Sequence, residues 1–284
     1  MKKGLVLEGG ALRGLFSAGV LDVMMEQGLI FDGAVGVSAG ACFGCNYKSE
    51  QKGRAFRYNK RFCKDWRYNS YRSLLLTGDM YGGEFCYHTL PKKLDVFDVE
   101  TYQNNPMQFY CVATDAVTGH ALYHNCANGT DEDLEWIRGS ASIPLFARPV
   151  FIDGHYLYDG GVSDSIPIRF FQKSGYEKNV VVLTQPETYR KEPQKHLDIV
   201  KVGLRKYPKM IERLANRYKE YNETLDYIRQ QEQEGDILVV RPKEALNIAP
   251  TEHDPKEIER VYQLGREVGQ EEIERIKVYL DESE

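Results

Sequence analysis

Twice within the first 50 residues a short apolar run passes through a glycine-bearing turn into a stretch compatible with a helix, and no other feature limits the fold as much. The first run, 4–7, stops at Glu8-Gly9-Gly10, after which Leu15, Ala18, Gly19 and Val23 recur every few positions. The second, 34–37, meets Ser38 and a small, helix-compatible stretch over 39–45. A strand that leads straight into a helix has to return by a crossover, so these units predict parallel neighbours with helices packed on the sheet. Further strands are predicted at 109–114, 121–124 and 180–184, with a hairpin over 151–157 turning at Asp153-Gly154. At 284 residues and 42% hydrophobic, the chain is long enough for one large core.

Beyond Pro193 the pattern becomes helical. Ile211, Leu214, Tyr218, Tyr221, Leu225 and Ile228 step by three and four behind Pro208, which suits a first turn. A strand at 237–240 precedes a last helix with Asp254 as cap, Pro255 next and Glu257 at the capping-box position. Ile258, Val261, Val268, Ile273, Ile276 and Leu280 form its buried stripe. Two helices are too few for a core of their own. The expected organisation is therefore a core over 1–192 and a helix-strand-helix extension over 193–284 packed on the same domain.

Lys plus Arg number 37 against 42 for Asp plus Glu, a net charge of −5 that argues against surface-wide binding of nucleic acid. Met1-Lys2-Lys3 and the apolar residues after it imitate a secretory signal, but Glu8 and Arg13 interrupt the run. With no apolar stretch near the ~20 residues of a membrane span, a soluble, cytoplasmic protein is expected. Six scattered cysteines then read as reduced thiols, and Cys42-x-x-Cys45 as two buried small residues.

Three segments carry candidate chemistry. Gly36-Val37-Ser38-Ala39-Gly40 is a G-x-S-x-G between a predicted strand and helix, a turn that sets a serine oxygen at the positive end of a helix. By itself it is equally a glycine turn with a serine cap. Glu8-Gly9-Gly10-Ala11-Leu12-Arg13-Gly14 leaves backbone N–H groups unshielded, as an oxyanion or a phosphate requires. A dinucleotide fingerprint fits it poorly, since Ala11 replaces the middle glycine and Asp32 precedes the second strand instead of ending it. Asp159-Gly160-Gly161 puts an aspartate where nothing larger than glycine bars close backbone approach.

In this order the three segments, with Ala141-Ser142-Ile143-Pro144-Leu145-Phe146-Ala147-Arg148-Pro149 before the aspartate strand, resemble the patatin-like phospholipase family over about residues 4–171. The resemblance implies a three-layer α/β/α fold with a mainly parallel central sheet. It also implies a Ser/Asp dyad acyl hydrolase acting on (lyso)phospholipid or related lipid esters, with no cofactor and no metal. Ser38 would be the nucleophile and Asp159 the general base. Amides of Gly9, Gly10 and Ala11 would form the oxyanion hole, with Arg13 positioning that loop and Gly14, Gly36, Gly40, Gly160 and Gly161 as motif glycines. Ala11 departs from a family glycine, and at positive φ its methyl group costs about 1 kcal/mol. An aspartate needs a dry site to act on an alcohol, for which Tyr156-Leu157-Tyr158 is the candidate wall. A Ser-His-Asp triad drafting His120 or His155 competes, as does a noncatalytic lipid- or nucleotide-binding protein using the glycine loop as an anion cradle.

Between Lys48 and Arg72 nine basic residues face only Glu50 and Asp65, with Phe56, Tyr58, Phe62, Trp66, Tyr68 and Tyr71 interleaved. Three readings stand. One is a peripheral docking surface for an anionic membrane. Another is a solvated helical face with its aromatics turned to the core, and the third is a nucleic-acid contact.

Overall fold

The computed structural model describes residues 1–281, so the last three positions of the 193–284 extension lie outside the described residues. Its strands are β1 (Lys2–Leu7), β2 (Gly33–Val37), β3 (Gln108–Asp115), β4 (Ala121–Asn125), β5 (Val150–Ile152), β6 (His155–Asp159), β7 (Tyr176–Val182) and β8 (Ile237–Val240). Its helices are α1 (Gly14–Glu26), α2 (Ala39–Lys48), α3 (Arg54–Phe62), α4 (Tyr71–Thr77), α5 (Val99–Asn104), α6 (Asp131–Ser140), α7 (Ile168–Lys173), α8 (Leu197–Gly203), α9 (Pro208–Glu234) and α10 (Pro255–Asp281). Two 3-10 turns (Ala11–Arg13 and Gly160–Val162) and a π-helix (Phe85–Leu94) complete the chain. Pro91 lies inside the π-helix, where a missing N–H already breaks α-helical bonding.

The strands form one sheet in the order β5-β6-β3-β2-β1-β7-β8, with β4 also paired to β3. From β3 through β8 every pairing is parallel, while β4, β5 and β6 join antiparallel. Side-chain alternation divides the core into two layers. Leu5, Leu7, Phe109, Val180 and Leu238 enter one apolar cluster, whereas Val6, Val35, Val112, Val181 and Val239 enter the other. The tail closes both: Val261 and Ile276 of α10 join the first cluster, Tyr221 and Ile228 of α9 the second. The mainly parallel, three-layer α/β/α arrangement with a helical extension is thus observed. At the α1–α10 crossing glycines let the backbones meet, for a Cβ on Gly265 would lie 2.0 Å from the Phe16 carbonyl oxygen.

Two local expectations are corrected. The strand expected at 180–184 starts earlier and stops at Val182, because the Thr184 N–H donates to the Glu8 carboxylate (2.6 Å) instead of a ladder carbonyl. Asp254 does cap α10 through Lys256 N (2.9 Å), but Glu257 bonds Arg260 and the Asp254 N–H goes to Glu252. No capping box forms.

Candidate active site

Sheet register explains how residues 38 and 159 meet. Residues 113 and 114 of β3 pair with β4 on one edge and β6 on the other; residues 110–112 pair with β4 and β2. Therefore β2 and β6 share one edge of β3 and abut end to end. Val37 closes β2 opposite Val112, and Asp159 closes the antiparallel β6 opposite Ala113. Gly160 is required at this junction, since a Cβ there would lie 2.0 Å from the Val112 carbonyl oxygen.

Ser38 turns the chain from β2 into α2 at φ 55°, ψ −120°, a strained conformation for a residue with a side chain. Its N–H is held by the buried Ser140 hydroxyl at 2.9 Å. Gly36 and Gly40 flank it so tightly that a Cβ on Gly36 would lie 2.4 Å from the Gly40 carbonyl oxygen. The Ser38 side chain faces the Asp159 carboxyl closely enough to favour its ionised form, and that carboxylate accepts Gly161 N–H at 2.7 Å. Burial, the largest influence, pushes the Asp159 carboxyl above its ordinary range, while Ser38, the Arg217 guanidinium and Gly161 N–H pull the other way. Of the expected dry wall, Leu157 and Tyr158 are buried but Tyr156 faces solvent.

Gly9 adjoins the Ser38 turn, with its Cβ position 3.0 Å from Ser38 Cβ. Among the described residues, the N–H groups of Gly9, Gly10 and Ala11 donate to no backbone or side-chain acceptor. Thr184 Oγ1 fixes the loop by donating to Gly9 O (3.0 Å), and Arg13 N–H by donating to Gly10 O (3.0 Å). Ala11 sits at φ 48°, the strained case that the alanine-for-glycine departure raised. Gly14 packs where a Cβ would lie 2.8 Å from that of Ala39. Arg13 thus meets the loop through its backbone N–H, while among the described residues its guanidinium makes no hydrogen bond to the loop and its Nε is buried without a partner.

Two cavities meet at Ser38. One, of about 100 Å³, is lined by apolar side chains such as Phe43, Tyr87, Leu90 and Ile137. The other, of about 280 Å³, is more polar and includes Asp159, Arg13, Lys191 and Arg217. No histidine lines either one. His155, bonded to Asp115 at 2.6 Å, starts β6 four residues before Asp159, about 13 Å along the strand at ~3.3 Å per residue. The motif Cys42 lines the apolar cavity with its thiol pushed up to about 12 by burial. Ligand atoms of His124, Cys126 and Asp133 lie within 4.8 Å of one another. These groups already engage one another and their surroundings, with Asp133 accepting His124 (3.0 Å), Asn128 N–H (2.8 Å) and Gly129 N–H (2.7 Å).

The 48–72 segment does not assemble its nine cations on one face. Lys48 is buried on Met107 O, Arg54 is buried on Asn46 and Asp95, and Arg57, Lys60 and Arg67 pair with Asp95, Glu259 and Asp65. Tyr58, Phe62 and Tyr68 turn into the core, as the solvated-face reading expects.

The patatin-like phospholipase family model matches residues 5–171, which contain the loop, the serine turn and the aspartate. The chain belongs to that family. A second model, a domain of unknown function (DUF6363), matches residues 207–281 of this patatin-like protein. Protein YjjU of Escherichia coli K12 is 31% identical over 210 residues, 67% of this chain and 54% of that one. Lysophospholipase NTE1 of Meyerozyma guilliermondii is 27% identical over 184 residues, 63% of this chain and 12% of that protein. The chain thus spans well under two thirds of either relative. VipD from Legionella pneumophila superposes with a TM-score of 0.48 and 12% identity, covering 96% of this chain and 67% of that one.

Sequence reading missed Ser140, Lys191, Arg217 and the Glu8–Tyr221 pair. Ser140 lies one residue before the Ala141 segment that was singled out. Lys191, Arg217 and Tyr221 reach the loop that begins at Glu8 only through long-range folding, and no local spacing marks that meeting.

Proposed function

We propose that this patatin-like protein is a serine acyl hydrolase that cleaves carboxylic esters of (lyso)phospholipids or related lipids. One observation carries the reading: a serine on a strained turn faces a buried carboxylate beside three unused N–H groups. Ser38 Oγ attacks the ester carbonyl carbon and its proton passes to Asp159. The N–H groups of Gly9, Gly10 and Ala11 hold the resulting oxyanion, and such donors are worth about 2.7–4 kcal/mol each. Collapse expels the alcohol, which takes the proton from Asp159 and leaves acyl-Ser38. Water, deprotonated by Asp159, then attacks the acyl carbon, and Ser38 regains the proton as the fatty acid departs. Apolar lining suits the smaller cavity to the acyl chain.

Among the described residues no helix is long and apolar enough to cross a membrane. We infer that the protein acts in the cytoplasm, touching a lipid surface peripherally through the end of the 48–72 segment. There Arg72, stacked on Trp66, adjoins the exposed Tyr71, Leu75 and Leu76 of α4. Treatment with a fluorophosphonate followed by intact-mass analysis and a lipid panel tests the enzyme reading. One adduct is expected on the native protein and none on Ser38→Ala. Labelling that ignores this substitution would leave the anion-cradle alternative.

A further inference from the structure

The two cavities at Ser38 divide an ester into an acyl side and an alcohol side. On the alcohol side three cations converge from three separate elements: Arg13 after the oxyanion loop, Lys191 on the segment following β7, and Arg217 on α9. Lys191 and Arg217 lie beyond the residues matched by the patatin-like model. None of the three has a carboxylate partner among the described residues. Arg217 donates to Gly161 O and, at 3.4 Å, to Ser165 Oγ; Arg13 Nε is buried and unbonded. The Lys191 ammonium rests 5.2 Å over the Tyr221 ring.

Both acidic groups in the wall are already committed. Glu8 accepts the Tyr221 hydroxyl (2.5 Å) and Thr184 N–H, and Asp159 accepts Gly161 N–H and lies against Ser38. Burial first, then Arg217 and Arg13, push the Lys191 ammonium down to about 8, against an opposing pull from Glu8. A cavity of this size holding unpaired guanidinium and ammonium groups is built for an anion with several oxygens, which guanidinium binds in two-pronged fashion and ammonium as a point charge.

We propose that the polar cavity beside Ser38 binds a phosphate group carried by the alcohol portion of the substrate, with Lys191 and Arg217 selecting esters that bear it. The proposal rests on the hydrolase reading for its substrate but not for its binding site. The test compares kcat/KM for a 1-acylglycerol 3-phosphate and the monoacylglycerol of the same chain, in the native protein and in Lys191→Gln and Lys191→Arg. In parallel, titration calorimetry on Ser38→Ala measures binding of glycerol 3-phosphate and of inorganic phosphate. Lys191→Gln is the primary variant because Arg217 also holds the aspartate turn, and its fold is checked by thermal melting.

The native protein should prefer the phosphate-bearing ester, and Lys191→Gln should reduce that preference about tenfold or more, the scale of one lost charge-assisted bond. Lys191→Arg should restore much of it. Glycerol 3-phosphate should bind Ser38→Ala more tightly than inorganic phosphate. Inorganic phosphate binding equally well, with no substrate preference, would overturn the headgroup assignment. Turnover of both esters at equal kcat/KM with neither probe bound would overturn the site while leaving the hydrolase reading intact. Binding that depends on Lys191 in a protein that turns over no ester would do the reverse.

Discussion

Replacing Asp159 by asparagine separates catalysis from stability, because the two should move in opposite directions. Asparagine keeps the size of the side chain and an oxygen for Gly161 N–H. Its amide can donate to Ser38 Oγ but cannot take a proton from it. Loss of general-base action should lower kcat about 10²–10⁴-fold, or about 3–5 kcal/mol of barrier at 1.36 kcal/mol per decade. The Asp159 carboxyl sits above its ordinary 3.8, so burial outweighs the combined pull of Ser38, Arg217 and Gly161. A group with a raised folded-state value contributes stability that is present below 3.8 and is lost as pH rises through that raised value. Asparagine stays neutral throughout, so at pH 7 the variant should melt no lower than the native protein. The two melting curves should converge on acidification below 3.8. Stopped-time ester hydrolysis with parallel calorimetric melts reads both quantities. A variant that retains activity within threefold removes Asp159 from the reaction; one that loses activity by unfolding refutes the strain argument.

Three further outcomes follow from particular contacts. Ala11→Gly should relieve the φ of 48° and raise stability by up to about 1 kcal/mol with the N–H donor retained, so a lower melting temperature would contradict the strain reading. Gly265→Ala would drive a methyl group into the Phe16 carbonyl and should destabilise by about 1–3 kcal/mol in denaturant titration; an unshifted midpoint would mean that the α1–α10 crossing is looser than described. His155→Gln should keep ester hydrolysis within a few-fold of native, because that ring lies a strand's length from Asp159. Abolished turnover would instead favour a histidine-based triad.

Much of this architecture was legible because period and punctuation agreed. The runs at 4–7 and 34–37, each followed by a glycine-bearing turn, became the central parallel pair, and the three-four stepping behind Pro208 became α9. The stretch from 73 to 107 gave no comparable signal, since its helices are short and one is a π-helix containing proline. Residues 38 and 159 could be singled out as motifs, but their meeting depends on β2 and β6 sharing one edge of β3, and register between distant strands leaves no trace in local spacing. The pairing of the basic run was hidden for a related reason. Cations were counted along the chain, whereas Asp95 and Glu259, which neutralise three of them, arrive from elsewhere. Lys191 and Arg217 looked like ordinary surface charge until the tail folded them beside the serine.

The central claim is that Ser38 carries the acyl group between two half-reactions. Rapid acid quench of the protein turning over a p-nitrophenyl ester, followed by peptide mass mapping, tests it directly. The account predicts a mass increase equal to one acyl group on the peptide containing Ser38 and no such peptide from Ser38→Ala. Hydrolysis at the native rate by Ser38→Ala, or an acyl group found on another residue, would contradict it.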